Sequence, residues 1–168
     1  MNEILKFPFA AFGKNWDDLQ LFLKHKGNPP YMITDDLDLR GTDIESLGNL
    51  TSVGGNLNLY KSKIEFLRNL TSVGGYLDLY ESKIKSLGNL TSVEGSLDLS
   101  ESKVESLGNL TSVGGSLGLS GTPIKSLGNL TSVGGNLDLR DTPLSKKYTK
   151  EEIRKIVKVG NYIIYNTI

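Results

Sequence analysis

Leu37-Asp-Leu-Arg-Gly-Thr-Asp-Ile-Glu-Ser-Leu-Gly-Asn-Leu-Thr-Ser-Val-Gly-Gly-Asn56 is the first of five near-identical copies, which restart at Leu57, Leu77, Leu97 and Leu117; a partial sixth opens at Leu137. A fixed period of about twenty residues is the signature of a solenoid, in which each unit is too small to close a core alone and stacks on its neighbours. In the second copy the apolar positions are Leu57, Leu59, Ile64, Leu67, Leu70 and Val73. Leu57 and Leu59 have the two-residue period of a strand with one buried face. The pairs Gly54-Gly55, Gly74-Gly75, Gly114-Gly115 and Gly134-Gly135 sit just before such strands, where the chain must turn tightly beside its neighbour. The pattern predicts a mainly β, right-handed solenoid whose coils, about 4.8 Å apart, share one parallel sheet of six or seven strands.

The composition narrows the function. The 168 residues are one domain's worth, and nineteen acids balance nineteen bases, which gives no general attraction to a polyanion. The balance is uneven along the chain: Asp35 to Leu139 carries thirteen acids against eight bases, and Arg140 to the end seven bases against three acids. With no cysteine, a disulfide framework, a thiol nucleophile and a cysteine metal site are all excluded. No apolar run is long enough to span a bilayer. The opening residues, with an early acid and Pro8, do not read as a signal peptide, so the expectation is a cytoplasmic protein with no membrane partner.

The pattern Leu-x-Leu-x-x-Thr/Ser-x-Ile resembles the leucine-rich repeat in its short bacterial and phage variety, over Ile33 to Leu144. The family's asparagine ladder is replaced here by Thr42, Ser62, Ser82, Ser102, Thr122 and Thr142, whose hydroxyls can still bond the backbone. A straighter β-helix similar to the receptor L-domain, which has comparable Thr-Ser-Val-Gly-Gly turns, is the alternative. The resemblance implies protein recognition on the strand-lined face, and among compact bacterial and phage proteins it extends to an effector or inhibitor of a host or defence protein.

The two ends read as caps, residues 1–36 and 145–168, around a solenoid at 37–144. Asn15 is placed to cap a helix to about Lys26, with Trp16, Leu19, Phe22 and Leu23 as its apolar stripe and Gly27 and Pro29 closing it. Thr149 and Glu152 form a capping-box pattern ahead of Ile153, Ile156 and Val157, with Gly160 as the expected stop. Tyr162 to Tyr165 reads as a final strand beside the one at Leu137.

Strand residues between the leucines face outward and form columns on a stacked sheet. The central column is Asp38, Asn58, Asp78, Asp98, Gly118 and Asp138. Neighbouring acids such as Asp78 and Asp98 lie at the spacing of a retaining glycosidase pair, so a carbohydrate-active β-helix is the alternative function. Catalysis, however, needs two acids in different environments, and the repeat makes these nearly equivalent, as a solvated polar column. A divalent cation would want six to eight oxygens, and few others are in sight, so no metal or cofactor is expected.

The five Asn-Leu-Thr tripeptides from Asn49 to Thr131 match a glycosylation acceptor, but one structural asparagine copied five times produces the same match. The bases Lys146, Lys147, Lys150, Arg154, Lys155 and Lys158 read as a solvated helix face, which argues against nucleic acid; His25 reads as a surface residue compatible with a helix C-terminus.

The informative positions are those where one copy departs from the rest. Tyr60, Tyr80 and Tyr76 fall on adjacent strands where other copies carry serine, asparagine or arginine. Exposed tyrosines rimmed by Asn58, Asp78 and Asp98 suit a protein-binding hot spot, and an aromatic ladder that stabilises the sheet is the competing reading. Phe66 and Arg68, replacing a serine and a glycine on the outer side of the second coil, are candidates for a secondary contact. The sequence thus points to a non-enzymatic protein-binding module whose partner is a protein.

Overall fold

A computed structural model describes residues 4–166 of the chain. The few residues outside that range, at the tips of both expected caps, are not described. In chain order the elements are β1 (Leu5–Phe7), a 3-10 turn (Phe9–Phe12), α1 (Trp16–His25), β2 (Tyr31–Ile33), β3 (Leu37–Asp38) and β4 (Leu50–Val53). Next come β5 (Leu57–Asn58), β6 (Ser72–Val73), β7 (Leu77–Asp78), β8 (Ser92–Val93), β9 (Leu97–Asp98), β10 (Ser112–Val113), β11 (Leu117–Gly118), β12 (Ser132–Val133) and β13 (Leu137–Asp138). The chain ends with α2 (Pro143–Lys147), α3 (Lys150–Ile156), β14 (Lys158–Val159) and β15 (Ile163–Ile164).

This is a parallel β-solenoid. The Leu-x-Leu strands form the expected parallel sheet, seven strands running β3-β5-β7-β9-β11-β13-β15, hereafter the leucine sheet. Each coil also contributes a second strand, at Ser-Val, and these build an eight-stranded parallel sheet from β1 to β14, the valine sheet. The sequence hid it because Thr-Ser ahead of two glycines reads as a turn. Its strands are secured from outside their own length: Thr71, Thr91, Thr111 and Thr131 each donate both N–H and hydroxyl to the threonine carbonyl one coil earlier, at 2.8–3.0 Å. The threonine of each Asn-Leu-Thr tripeptide is therefore a structural rung. On the third side of the coil, isolated bridges join Phe66, Ser86 and Ser106.

Leu57, Leu59, Ile64, Leu67, Leu70 and Val73 are all buried, as are their counterparts in later coils, in one continuous core cluster. Glycine is required where coils turn between the sheets: a Cβ at Gly74 would collide with the Gly54 carbonyl oxygen, and one at Gly114 with that of Glu94. Thr122 and Thr142 hydroxyls bond the backbone as expected, donating to the carbonyls of Leu119 and Leu139 at 2.7 Å within their own coils. Ser62 and Ser102, in the same buried column, have hydroxyls with no partner among the described residues.

Both ends are coils enlarged by helix. Asn15 caps α1 by accepting from the N–H groups of Asp17 and Asp18, and Leu19 and Leu23 are buried while Trp16 and Phe22 pack at the edge of the core. The strand β1, absent from the expected cap, pairs with β2. At the other end the Thr149–Glu152 capping box forms. Two expectations there are corrected. Gly160 does not stop the helix: α3 ends at Ile156, Val157 is extended, and β14 pairs with β12, which puts Gly160 over Gly134 as another corner glycine. Ile156, expected in the apolar stripe, is 52% exposed, because the burial needed from this coil comes from Ile153, Val157, Val159 and Ile163. The final strand does lie beside the Leu137 strand, with Leu137 opposite Ile163. Among the described residues no helix is long and apolar enough to cross a membrane.

Candidate functional site

The strict twenty-residue register of the leucine sheet sets Asn58 opposite Asp78 and Asp78 opposite Asp98. Tyr60 and Tyr80 follow these residues at equal offset, so their rings stack, with centroids 5.8 Å apart and planes 5° from parallel. Tyr76 leans along the sheet, and its phenol donates to Asp78 Oδ2 at 2.9 Å. Burial, then the Asp78 carboxylate, push the Tyr76 phenol up to about 12. All three tyrosines are half-buried, with part of each left to solvent. The six residues expected at the partner site are thus gathered on one face.

The central column is more than solvated polarity. Asn58, Asp78, Asp98 and Asp138 each turn a side-chain oxygen back to accept the N–H two residues on, from Tyr60, Tyr80, Ser100 and Arg140, at 2.9–3.1 Å. These are Asx turns that satisfy the backbone where the strand ends. The recurring Asx-Leu-x at a strand end is the sequence signal that could have revealed them. Asp78 and Asp98 therefore do the same structural task. Among the described residues no three His, Cys, Asp or Glu side chains converge as a metal-binding cluster.

The column in front of the first leucine is also a ladder. Asn56 Oδ1 accepts from Tyr76 N, Ser96 Oγ from Ser116 N, and Ser116 Oγ from Asn136 N, at 2.8–3.0 Å. Tyr76 supplies no such acceptor to the next coil, its phenol being committed to Asp78. The tyrosine thus interrupts a bonding pattern that its neighbours maintain.

Beside the stacked pair, Lys61 stands 5.0 Å over the Tyr60 ring and pairs with Glu81 at 3.2 Å. Tyr60 and then Glu81 raise the Lys61 ammonium above its usual range. Lys61, Glu81 and Glu101 all hold positive φ, between 52° and 59°, in a column where the first and fifth copies of the repeat use Gly41 and Gly121. Phe66 and Arg68 lie apart from the tyrosines, on the third side of the coil; both are exposed, and Arg68 has φ 48° where Gly48, Gly88, Gly108 and Gly128 occupy the same left-handed position.

One feature of the face escaped the sequence reading. Gly118 breaks the central column, and over it opens a groove of about 540 Å³ between Tyr80 and the Asp138–Arg140 ion pair. Its signal, a lone glycine among acids, was visible in the repeat.

No protein-family model matches the chain, and no match was found among curated proteins or solved structures.

Proposed function

We propose that this protein is a non-enzymatic binding module that recognises a protein partner through the leucine-sheet face around Tyr60, Tyr76 and Tyr80, rimmed by Asn58, Asp78 and Asp98. The observation that carries the reading is the gathering of three repeat-breaking tyrosines on one half-exposed surface, one of them at the expense of a ladder bond. Rigid aromatic anchors beside polar acceptors are what interface hot spots are made of. The similarity of the repeat to leucine-rich repeats favours the same face, and with it the narrower role of a bacterial or phage effector or inhibitor. Phe66 and Arg68 would make a secondary contact. The glycosidase alternative is disfavoured because Asp78 already spends one oxygen on the Tyr80 N–H and the other on the Tyr76 hydroxyl, and Asp98 spends one on the Ser100 N–H, so the pair serves the strand ends.

The test is capture of the partner from the native host, followed by replacement of Tyr60 and Tyr80 with alanine. Binding should weaken by about 2 kcal/mol or more, with only a small change in melting temperature. A double variant that binds normally but melts early would make the tyrosines a sheet-stabilising ladder. Hydrolysis of a glycan by the wild-type protein, abolished by Asp78→Asn, would move the function to catalysis.

A further inference from the structure

The groove over Gly118 continues the tyrosine face toward the C-terminal end of the sheet, and the carboxylates along this face differ in how they are paired. Asp38 and Asp138 give their outer oxygens to Arg40 and Arg140, and Asp78 gives its own to Tyr76. Asp98 lines the space that Gly118 leaves open: its Oδ1, the oxygen nearest Gly118, accepts from Ser100 N at 2.9 Å, and its Oδ2 has no partner among the described residues. A Cβ on Gly118 would come within 2.8 Å of Asp98 Oδ1 and 2.9 Å of Ser100 Oγ, so the missing side chain is what opens the groove. Glu101 also lines it and is in no ion pair among the described residues. The charged groups lining the groove are then two carboxylates outside any ion pair among the described residues, Asp98 and Glu101, and the self-neutralised Asp138–Arg140 pair, with Tyr80 at one wall.

We infer that this groove is a specificity pocket for an arginine side chain of the protein partner. A planar guanidinium suits it because it can stack on an aromatic ring while donating in parallel to a carboxylate, and its weak hydration makes it the easier cation to seat in a half-enclosed site. The complementarity is electrostatic, and the acidic excess of the repeats extends it over a longer range. The inference rests on the proposed binding face and adds the chemistry of one contact.

The experiment is an amide-resolved NMR titration of the full chain at low salt with an acetylated, amidated Gly-Arg-Gly peptide, its citrulline counterpart and calcium chloride. The arginine peptide should shift the amides of Ser100, Gly118 and Ser120 and saturate. The citrulline peptide should bind at least fivefold more weakly. Asp98→Asn should weaken the arginine peptide at least fivefold while keeping the fold, since Asn58 fills the same capping role in its own coil. Gly118→Ala, which narrows the groove without touching a charge, should weaken it too. Equal binding of the citrulline peptide, indifference to Asp98→Asn, or the same shifts from calcium at equal concentration would overturn the inference. A captured partner that depends on Tyr60 and Tyr80 but not on Asp98 keeps the tyrosine face and removes the groove from it. Saturating arginine-specific shifts alongside a partner indifferent to the tyrosines keep the groove and remove the face.

Discussion

In the interior coils a residue pairs with one exactly one repeat away, Leu57 with Leu77 and Val73 with Val93, whereas at both ends the pairing spans twenty-six residues, Leu5 with Tyr31 and Leu137 with Ile163. The end coils keep the sheets in register while looping out a helix, α1 at one end and α3 at the other. The difference teaches how a stack is finished. An interior coil has neighbours on both sides to cover its leucines; an end coil has one, and the helix covers the side that stacking leaves bare. Identical coils therefore suffice inside, and only the ends need new sequence.

The harshest way to break this comparison is to remove one end. A chain ending at Lys147 loses Ile153, Val157, Val159 and Ile163, all buried. At about 1.5–3 kcal/mol each, their loss approaches the whole stability of a domain, about 5–15 kcal/mol. The truncated chain should aggregate or lose its cooperative melt, as gel filtration and circular dichroism would show. A monomer with an unchanged melting temperature would mean that the end coil is an appendage.

Within the interior, two positions on one strand separate core from surface. Leu79→Ala should cost about 2–5 kcal/mol through the cavity it leaves. Asp78→Ala should cost about 1 kcal/mol, because the Tyr80 N–H and Tyr76 hydroxyl each lose an acceptor. Urea denaturation would read both, and equal losses would contradict the assigned faces.

Arg68→Gly sharpens the comparison among the coils themselves. Releasing a non-glycine residue from φ 48° should raise stability by about 1 kcal/mol, and loss of partner affinity in the same variant would assign Arg68 to a contact. No gain in the melt would show that the arginine carries no strain.

The smallest effect belongs to the C-terminal end coil and depends on pH. The Thr149 backbone N–H, with its hydroxyl, holds the Glu152 carboxyl below its usual value of 4.5. A depressed carboxyl contributes stability above its unfolded value and loses it as pH falls through the folded one. The melting-temperature gap between wild type and Glu152→Gln should therefore be present at pH 6 and shrink toward pH 3. A gap of constant size would mean that the carboxylate charge is not what the capping box uses.

Which residues gather on the candidate face was legible before the structure. Tyr60, Tyr76 and Tyr80 stood out because a repeat makes every departure visible, and a fixed period converts sequence offset into spatial adjacency. Their hydrogen bonds were not legible: whether Tyr76 reaches Asp78 or open solvent depends on rotamer and packing, which no periodicity encodes. The roles of the aspartates as backbone caps were hidden for the same reason, since an outward polar residue and an Asx turn have the same sequence.

By itself, the sequence determined the period, the residues facing the core, the register of the leucine sheet, and the helix starts at Asn15 and Thr149. Each of these follows from a local pattern of side chains. Only the tertiary structure decided that Thr-Ser-Val would be a second sheet, that Lys158–Val159 would extend it, and that Gly160 would serve as a corner instead of a helix stop. The physical reason is where the hydrogen-bond partners lie. A helix finds its partners four residues away, within reach of a local reading, while a two-residue strand exists only because the next coil arrives beside it, about 4.8 Å off and twenty or twenty-six residues along the chain.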